Sequence, residues 1–334
     1  MKKFFTLVFA TLMAGNMMAQ MHGALNFAGA STANVLTQNV KNTSDTVRFE
    51  MVSAAAGNIT LPKIVNDNFV IPSFTIENVA FAMGANHVIT MADQTFAAKV
   101  TVDGEEKNIT GSSLTGTYSM TDNSLTLKAV FKYGAMPFDM TYYIKAYYIK
   151  PVASAININV GGAFNYANDN VTYNVRKYMD GDVQKVDVEI PTYTLDNTVM
   201  GNLTLGTYTV KGLTYDEEKG GFYRDYKDDG LTFHFTAETD GKPTMDGEYP
   251  FNPDKANNIL VKYNGNKVED IINTFQMGSM PFAIISTFKA NASGITSVKN
   301  DKKNDGKIYN LNGQVVDEYY KGVVIINGKK YIKQ

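Results

Sequence analysis

Histidine is the side chain most often used to bind a metal or move a proton near neutral pH. This chain has three, His22, His87 and His234. None stands in the H-x-H or H-E-x-x-H spacings that bring zinc ligands together. His234 lies in LTFHFTAE, in phase with Thr232 and Thr236, and is expected to point outward from a strand. The absence of cysteine excludes disulfides, thiolate metal sites and a cysteine nucleophile together. No G-x-S-x-G nucleophile elbow is present either. These residue types yield no catalytic set, metal site or cofactor, and the chain is not expected to be an enzyme.

Carboxylates gather once, in YDEEKGGFYRDYKDDG (215–230). Asp216, Glu217, Glu218, Asp225, Asp228 and Asp229 could hold a Ca²⁺ ion or supply an acid/base pair. Lys219, Arg224 and Lys227 nearly balance them and the glycines mark turns, so a solvated hairpin tip is the better reading. The tyrosines of TYYIKAYYIK (141–150) could form a stacking platform, but aromatic residues are ordinary in strands, and packing is the simpler use. An exposed aromatic patch around Tyr215, Phe222, Tyr223 and Tyr226 would point instead to glycan or protein contact through loops.

The N-terminus reads MKKFFTLVFATLMAGNMMAQ: two lysines, an apolar run over 4–14 and small residues before Gln20. That pattern predicts a signal peptide over 1–19 and an exported product in the periplasm, at the outer-membrane surface or outside the cell. No later run is long and apolar enough to predict a transmembrane helix. Acidic residues outnumber basic ones (33 against 31) and no basic stripe appears, so nucleic acid is not an expected partner. Abundant Tyr, Phe, Thr, Asn and Gly favour β structure. Asp103-Gly104 and Asp240-Gly241, each between alternating segments, predict two-residue hairpin turns.

The chain repeats itself. FKYGAMPFDMTYYIKA (131–146) and FQMGSMPFAIISTFKA (275–290) share seven of sixteen positions. Leu61-Pro62 matches Ile190-Pro191, and the two Asp-Gly turns fall at corresponding places. Such order predicts a duplicated unit over 20–150 and 151–290. In the first copy Phe138, Met140, Tyr142 and Ile144 share one face; in the second Phe282, Ile284, Ser286 and Phe288 do. Period two with one apolar face predicts strands packed on one side, with Pro137 and Pro281 at their first residues. Each unit suits a closed eight-stranded antiparallel barrel or a β-sandwich; closure is favoured because it removes exposed edges. The eight residues are then expected to line barrel interiors and to contact a small apolar ligand. The change from Tyr142 to Ser286 predicts more room in the second.

NITLPKI, VIPSFTIENVAF, TFAAKVTVDG and SLTLKAVFKYGAMPF resemble the calycin-like β-barrel domain of exported Bacteroidetes proteins; the second half resembles it more loosely, through VEIPTYTL and GSMPF. The resemblance implies an all-β fold of two tandem lipocalin-like barrels. Lipocalins and avidins, the better-known calycins, carry a G-x-W, and this chain has no tryptophan. A barrel rather than a given ligand is therefore implied, with a small apolar molecule or an envelope component as partner. After a polar linker (291–306), residues 307–334 carry YNLNGQ and KGVVIINGKK and resemble the C-terminal sorting tails of secreted Bacteroidetes proteins. Asn312-Gly313 and Asn327-Gly328 there predict two hairpins or a meander. Asp45-Thr46-Val47 resembles the O-glycosylation triplet of the same phylum.

Overall fold

The computed structural model describes residues 23–36, 38–66, 69–84 and 87–289, and in the tail 308–310, 315–316, 322–326 and 329–333. The expected signal peptide, His22, the expected linker and the two expected Asn-Gly turns of the tail lie outside the described residues. Two compact units are present, Met1–Ala290 and Asn291–Gln334. Strands form throughout and no α-helix occurs among the described residues.

The first eleven strands are β1 (Ala24–Val35), β2 (Gln38–Met51), β3 (Ala56–Leu61), β4 (Ile64–Asn66), β5 (Phe69–Ile71), β6 (Phe74–Ala80), β7 (Ala82–Met83), β8 (Val88–Val102), β9 (Glu105–Ser119), β10 (Ser124–Tyr133) and β11 (Met140–Val160). The order β6-β3-β2-β1-β11-β10-β9-β8 makes the N-terminal barrel. Its last joint, β6 to β8, is a seam rather than a ladder. There the Gln94 side-chain amide takes the place of a strand: it accepts from Ala80 N and donates to Ala80 O, both at 2.9 Å. Asp103 and Gly104 both have positive φ (52° and 81°), as a type I′ turn between β8 and β9 requires. At Gly29 a Cβ would stand 2.0 Å from the Lys145 carbonyl oxygen, so only glycine lets β1 approach β11 there.

The following strands are β12 (Phe164–Asp180), β13 (Val183–Ile190), β14 (Tyr193–Thr198), β15 (Gly201–Leu205), β16 (Tyr208–Asp216), β17 (Gly221–Asp225), β18 (Thr232–Thr239), β19 (Lys242–Pro250), β20 (Asn258–Asn264), β21 (Lys267–Phe275) and β22 (Ile284–Lys289). Ladders run from β11 through β12, β13, β16, β17, β20, β21 and β22 and back to β11, closing an eight-strand antiparallel barrel. A second sheet, β14-β15-β18-β19, lies beside it. Asp240 and Gly241 (φ 52° and 72°) make the β18–β19 turn.

One strand serves both barrels. Residues 140–148 of the 21-residue β11 pair with β1 and β10; from Ile149 onward it pairs with β12, and from Ile156 also with β22. The boundary expected at 150/151 thus falls inside this strand. A partly buried ion pair ties the barrels again. The Arg176 guanidinium pairs with Asp187, donates to Ala28 O (2.9 Å) and stacks 4.5 Å from the Tyr178 ring.

Each barrel has its own core. Phe27, Phe49, Phe131 and Tyr142 fill the first; Tyr173, Tyr193, Tyr226, Phe233, Phe275 and Phe288 fill the second. Burying each such side chain contributes roughly 1.5–3 kcal/mol. Pro137 and Pro281 do not open strands. Both lie in the turn before them, where Gly134 and Gly278 have positive φ and Met136 N and Met280 N donate to the carbonyl oxygens of Tyr133 and Met277. The repeated GxMPF is one turn used twice, so the strands begin at Met140 and Ile284.

In the tail unit, β23 (Ile308–Asn310), β24 (Val315–Val316), β25 (Gly322–Ile326) and β26 (Lys329–Lys333) form a sheet ordered β24-β23-β25-β26.

Candidate binding sites at the barrel mouths

Pairing register aligns the two barrels residue by residue. In the first, Ser31 faces Ile144 on one side and Asn42 on the other; in the second, Ile156 faces Phe288 and Asn168. Both have an irregularity at the next step, between Gly29 and Ser31 and between Ser154 and Ile156. The same counting matches Asp45 with Val171, Lys41 with Ala167, Val40 with Tyr166 and Gln38 with Phe164. Tyr142 matches Ser286.

Each barrel has a pocket at the end where its last strand begins, walled by its first, second and last strands and by the hairpin after the third. The C-terminal pocket has a volume of about 290 Å³. Val160, Phe164, Leu195, Met280, Phe282 and Ile284 line it, and Val199 and Met200 at the β14–β15 turn form its rim. Val199 is 97% exposed and Phe164 50%, an apolar lip turned to solvent. Phe282 lies over Gly161, where a Cβ would meet its ring at 2.7 Å. The N-terminal pocket is smaller, about 140 Å³, and mixes charged and polar side chains with apolar ones. Ser31 Oγ, Asn42 Nδ2 and Tyr142 OH all donate to the buried Asp45 carboxylate, the last at 3.2 Å. Burial first, and then the negative charge of Asp45, push the Tyr142 hydroxyl well above the usual tyrosine range.

Of the eight residues expected to line the interiors, Phe282 and Ile284 line the C-terminal pocket and Tyr142 the N-terminal one. Met140, Ile144, Ser286 and Phe288 are buried in the packed cores, and Phe138 is half-exposed in the turn before β11. The extra room expected at Ser286 is filled. Tyr193 OH reaches to 2.8 Å from Ser286 Oγ and to 2.6 Å from Tyr173 OH. Deeper in, Tyr226 OH donates to Asn273 Oδ1 (2.9 Å) and Asn273 Nδ2 to Tyr208 OH (2.6 Å). Burial is the main force raising Tyr173, Tyr208 and Tyr226, so the network holds neutral hydroxyls.

Elsewhere the readings separate. Phe222 and Tyr226 are buried, which leaves no contiguous aromatic patch with Tyr215. Asp216 pairs with Lys219 and Arg224 with Asp229, as a solvated turn would. His234 is exposed, between Asp246 (2.9 Å) and Glu248 (3.3 Å). No cluster of three or more metal-binding side chains occurs among the described residues. Sequence reasoning missed the β14–β15 hairpin and Asp45. The hairpin had one signal, the apolar pair Val199-Met200 at a turn tip where polar residues are usual.

The all-β chain with its closed eight-strand antiparallel barrel is consistent with a calycin-like fold. The family model for the calycin-like beta-barrel domain matches residues 154–291, the C-terminal barrel, although the fuller resemblance had been expected in the N-terminal half. No curated protein matches the chain. Among solved structures, a candidate outer membrane protein of Bacteroides fragilis is 15% identical, covers 82% of this chain and 98% of its own, and has a TM-score of 0.26. The agglutinin of Burkholderia oklahomensis is 8% identical, with 80% and 83% coverage and a TM-score of 0.18.

Proposed function

We propose that this is an exported, non-enzymatic binding protein that holds a small apolar molecule at the mouth of its C-terminal barrel. The observation that carries the reading is the 290 Å³ apolar pocket with a solvent-facing lip of Phe164, Val199, Met200 and Phe282. Exposed apolar side chains gathered around a concavity are most economically explained by something that covers them. Aromatic side chains fill both barrels, so the ligand sits at the mouth and not along the axis. Of the residues expected from the strand phase, Phe282 and Ile284 belong to this site. The leader-like residues 1–19 support export to the envelope or beyond, and the matching irregularities of β1–β2 and β11–β12 support an origin by duplication.

Two measurements test this. Native mass spectrometry of the full chain is expected to detect a co-purifying apolar molecule. Fluorescence of 1-anilinonaphthalene-8-sulfonate is expected to rise on binding and to lose most of that rise in the double variant Val199→Asp, Phe282→Asp. Equal fluorescence in the variant would overturn the site.

A further inference from the structure

We infer that the N-terminal mouth pocket is a site for a small zwitterion, a free α-amino acid of modest size. Asp45 lines it and is only 7% exposed. Its two oxygens offer about four acceptor positions, and Ser31, Asn42 and Tyr142 take three. All three donors are neutral, and no ion pair among the described residues includes Asp45. A carboxylate withdrawn from water is ordinarily matched by a cation. The remaining acceptor position and the missing charge are what an ammonium group supplies.

The same cavity has two cations in its wall, Lys41 and Lys63, both exposed and neither in an ion pair among the described residues. They suit a carboxylate on the same molecule. Ala33, Val40 and Ile64 supply apolar wall for a short side chain. The volume, about 140 Å³, is several times the roughly 30 Å³ that a water occupies in the liquid. Register gives a control within the chain. Asp45, Lys41 and Ser31 correspond to Val171, Ala167 and Ile156 in the other barrel. Lys63, one residue after Pro62, corresponds in order to Thr192 after Pro191. The charged set belongs to one pocket alone, so a scaffold requirement does not explain it.

The test is calorimetric titration of the full chain with L-alanine, methylamine and acetate. L-Alanine is expected to bind saturably, and each half-ligand at least about tenfold more weakly, because each satisfies one charge of two. Asp45→Asn is expected to abolish alanine binding, with a thermal melt recorded to separate loss of site from loss of fold. Lys41→Met with Lys63→Met changes only exposed positions and is expected to weaken alanine at least about tenfold in a folded protein. Alanine failing to saturate, methylamine binding as tightly as alanine, or unchanged affinity in the lysine double variant would each overturn the proposal. The apolar site lies in the other barrel, so neither result depends on the other.

Discussion

At the N-terminal mouth, Ser31, Asp45 and Tyr142 meet beside a cavity of mixed lining; at the matching C-terminal positions stand Ile156, Val171 and Ser286. The backbone is the same to the level of a shared irregularity in the first strand pair. What differs is which strand supplies the bulk. In the N-terminal barrel the aromatic ring comes from the last strand as Tyr142, with Ile64 on the hairpin. In the C-terminal barrel the last strand has Ser286, and the hairpin supplies Tyr193, whose hydroxyl meets that serine. A second exchange runs across the first strand pair: Phe27 faces Val47 in one barrel, and Val152 faces Tyr173 in the other. Cores conserve volume more strictly than they conserve position. Two barrels can thus keep one framework and carry one strongly apolar pocket and one that holds charged groups.

Breaking the shared framework should have the largest effect. Arg176→Ala leaves Asp187 buried without its cation and removes the donor to Ala28 O. A loss of about 3–5 kcal/mol in urea denaturation is expected, with separate transitions for the barrels if this contact couples them. The volume exchange comes next. Tyr142→Ser should cost about 3–4 kcal/mol, and adding Ile64→Tyr should restore at least about 1 kcal/mol of it in a double-mutant cycle. No recovery would mean that the two barrels are not interchangeable at this position. Asp45→Val, which copies the C-terminal residue, should cost about 1–3 kcal/mol because Ser31, Asn42 and Tyr142 lose their acceptor. Gly161→Ala, at φ 63° beneath the Phe282 ring, should cost about 1–2 kcal/mol and reduce dye binding at the apolar mouth, while alanine binding at the other mouth is unchanged.

The smallest effect is alkaline. Burial pushes Tyr118 in the N-terminal barrel to about 12, and burial followed by the Asp187 charge does the same to Tyr178 in the C-terminal one. A hydroxyl whose folded value is raised keeps its proton more firmly when folded. Its contribution is therefore complete below about pH 10, the unfolded value, and is lost as the pH rises through about 12. Unfolding followed against pH should show this loss, and Tyr118→Phe and Tyr178→Phe should each flatten it.

Much of the fold was legible because it depends on neighbours in the chain. Alternation along 140–144 and 284–288 sets which side chains face inward, and Asx-Gly pairs set the turns at 103–104 and 240–241. The start of the strands was misplaced because GxMPF reads as an apolar run, whereas Gly134 and Gly278 turn the backbone before it.

The sequence by itself determined an all-β chain, its repetition, its turns and the inward phase of its strands, since each follows from side-chain spacing along a few residues. Tertiary structure decided that one strand serves two barrels, that Tyr193 fills the space beside Ser286, and that Asp45 becomes a buried acceptor. Those outcomes depend on strand register and on shared volume between distant positions. Asp45 and Tyr142 lie 97 residues apart, and only the folded sheet brings their side chains together.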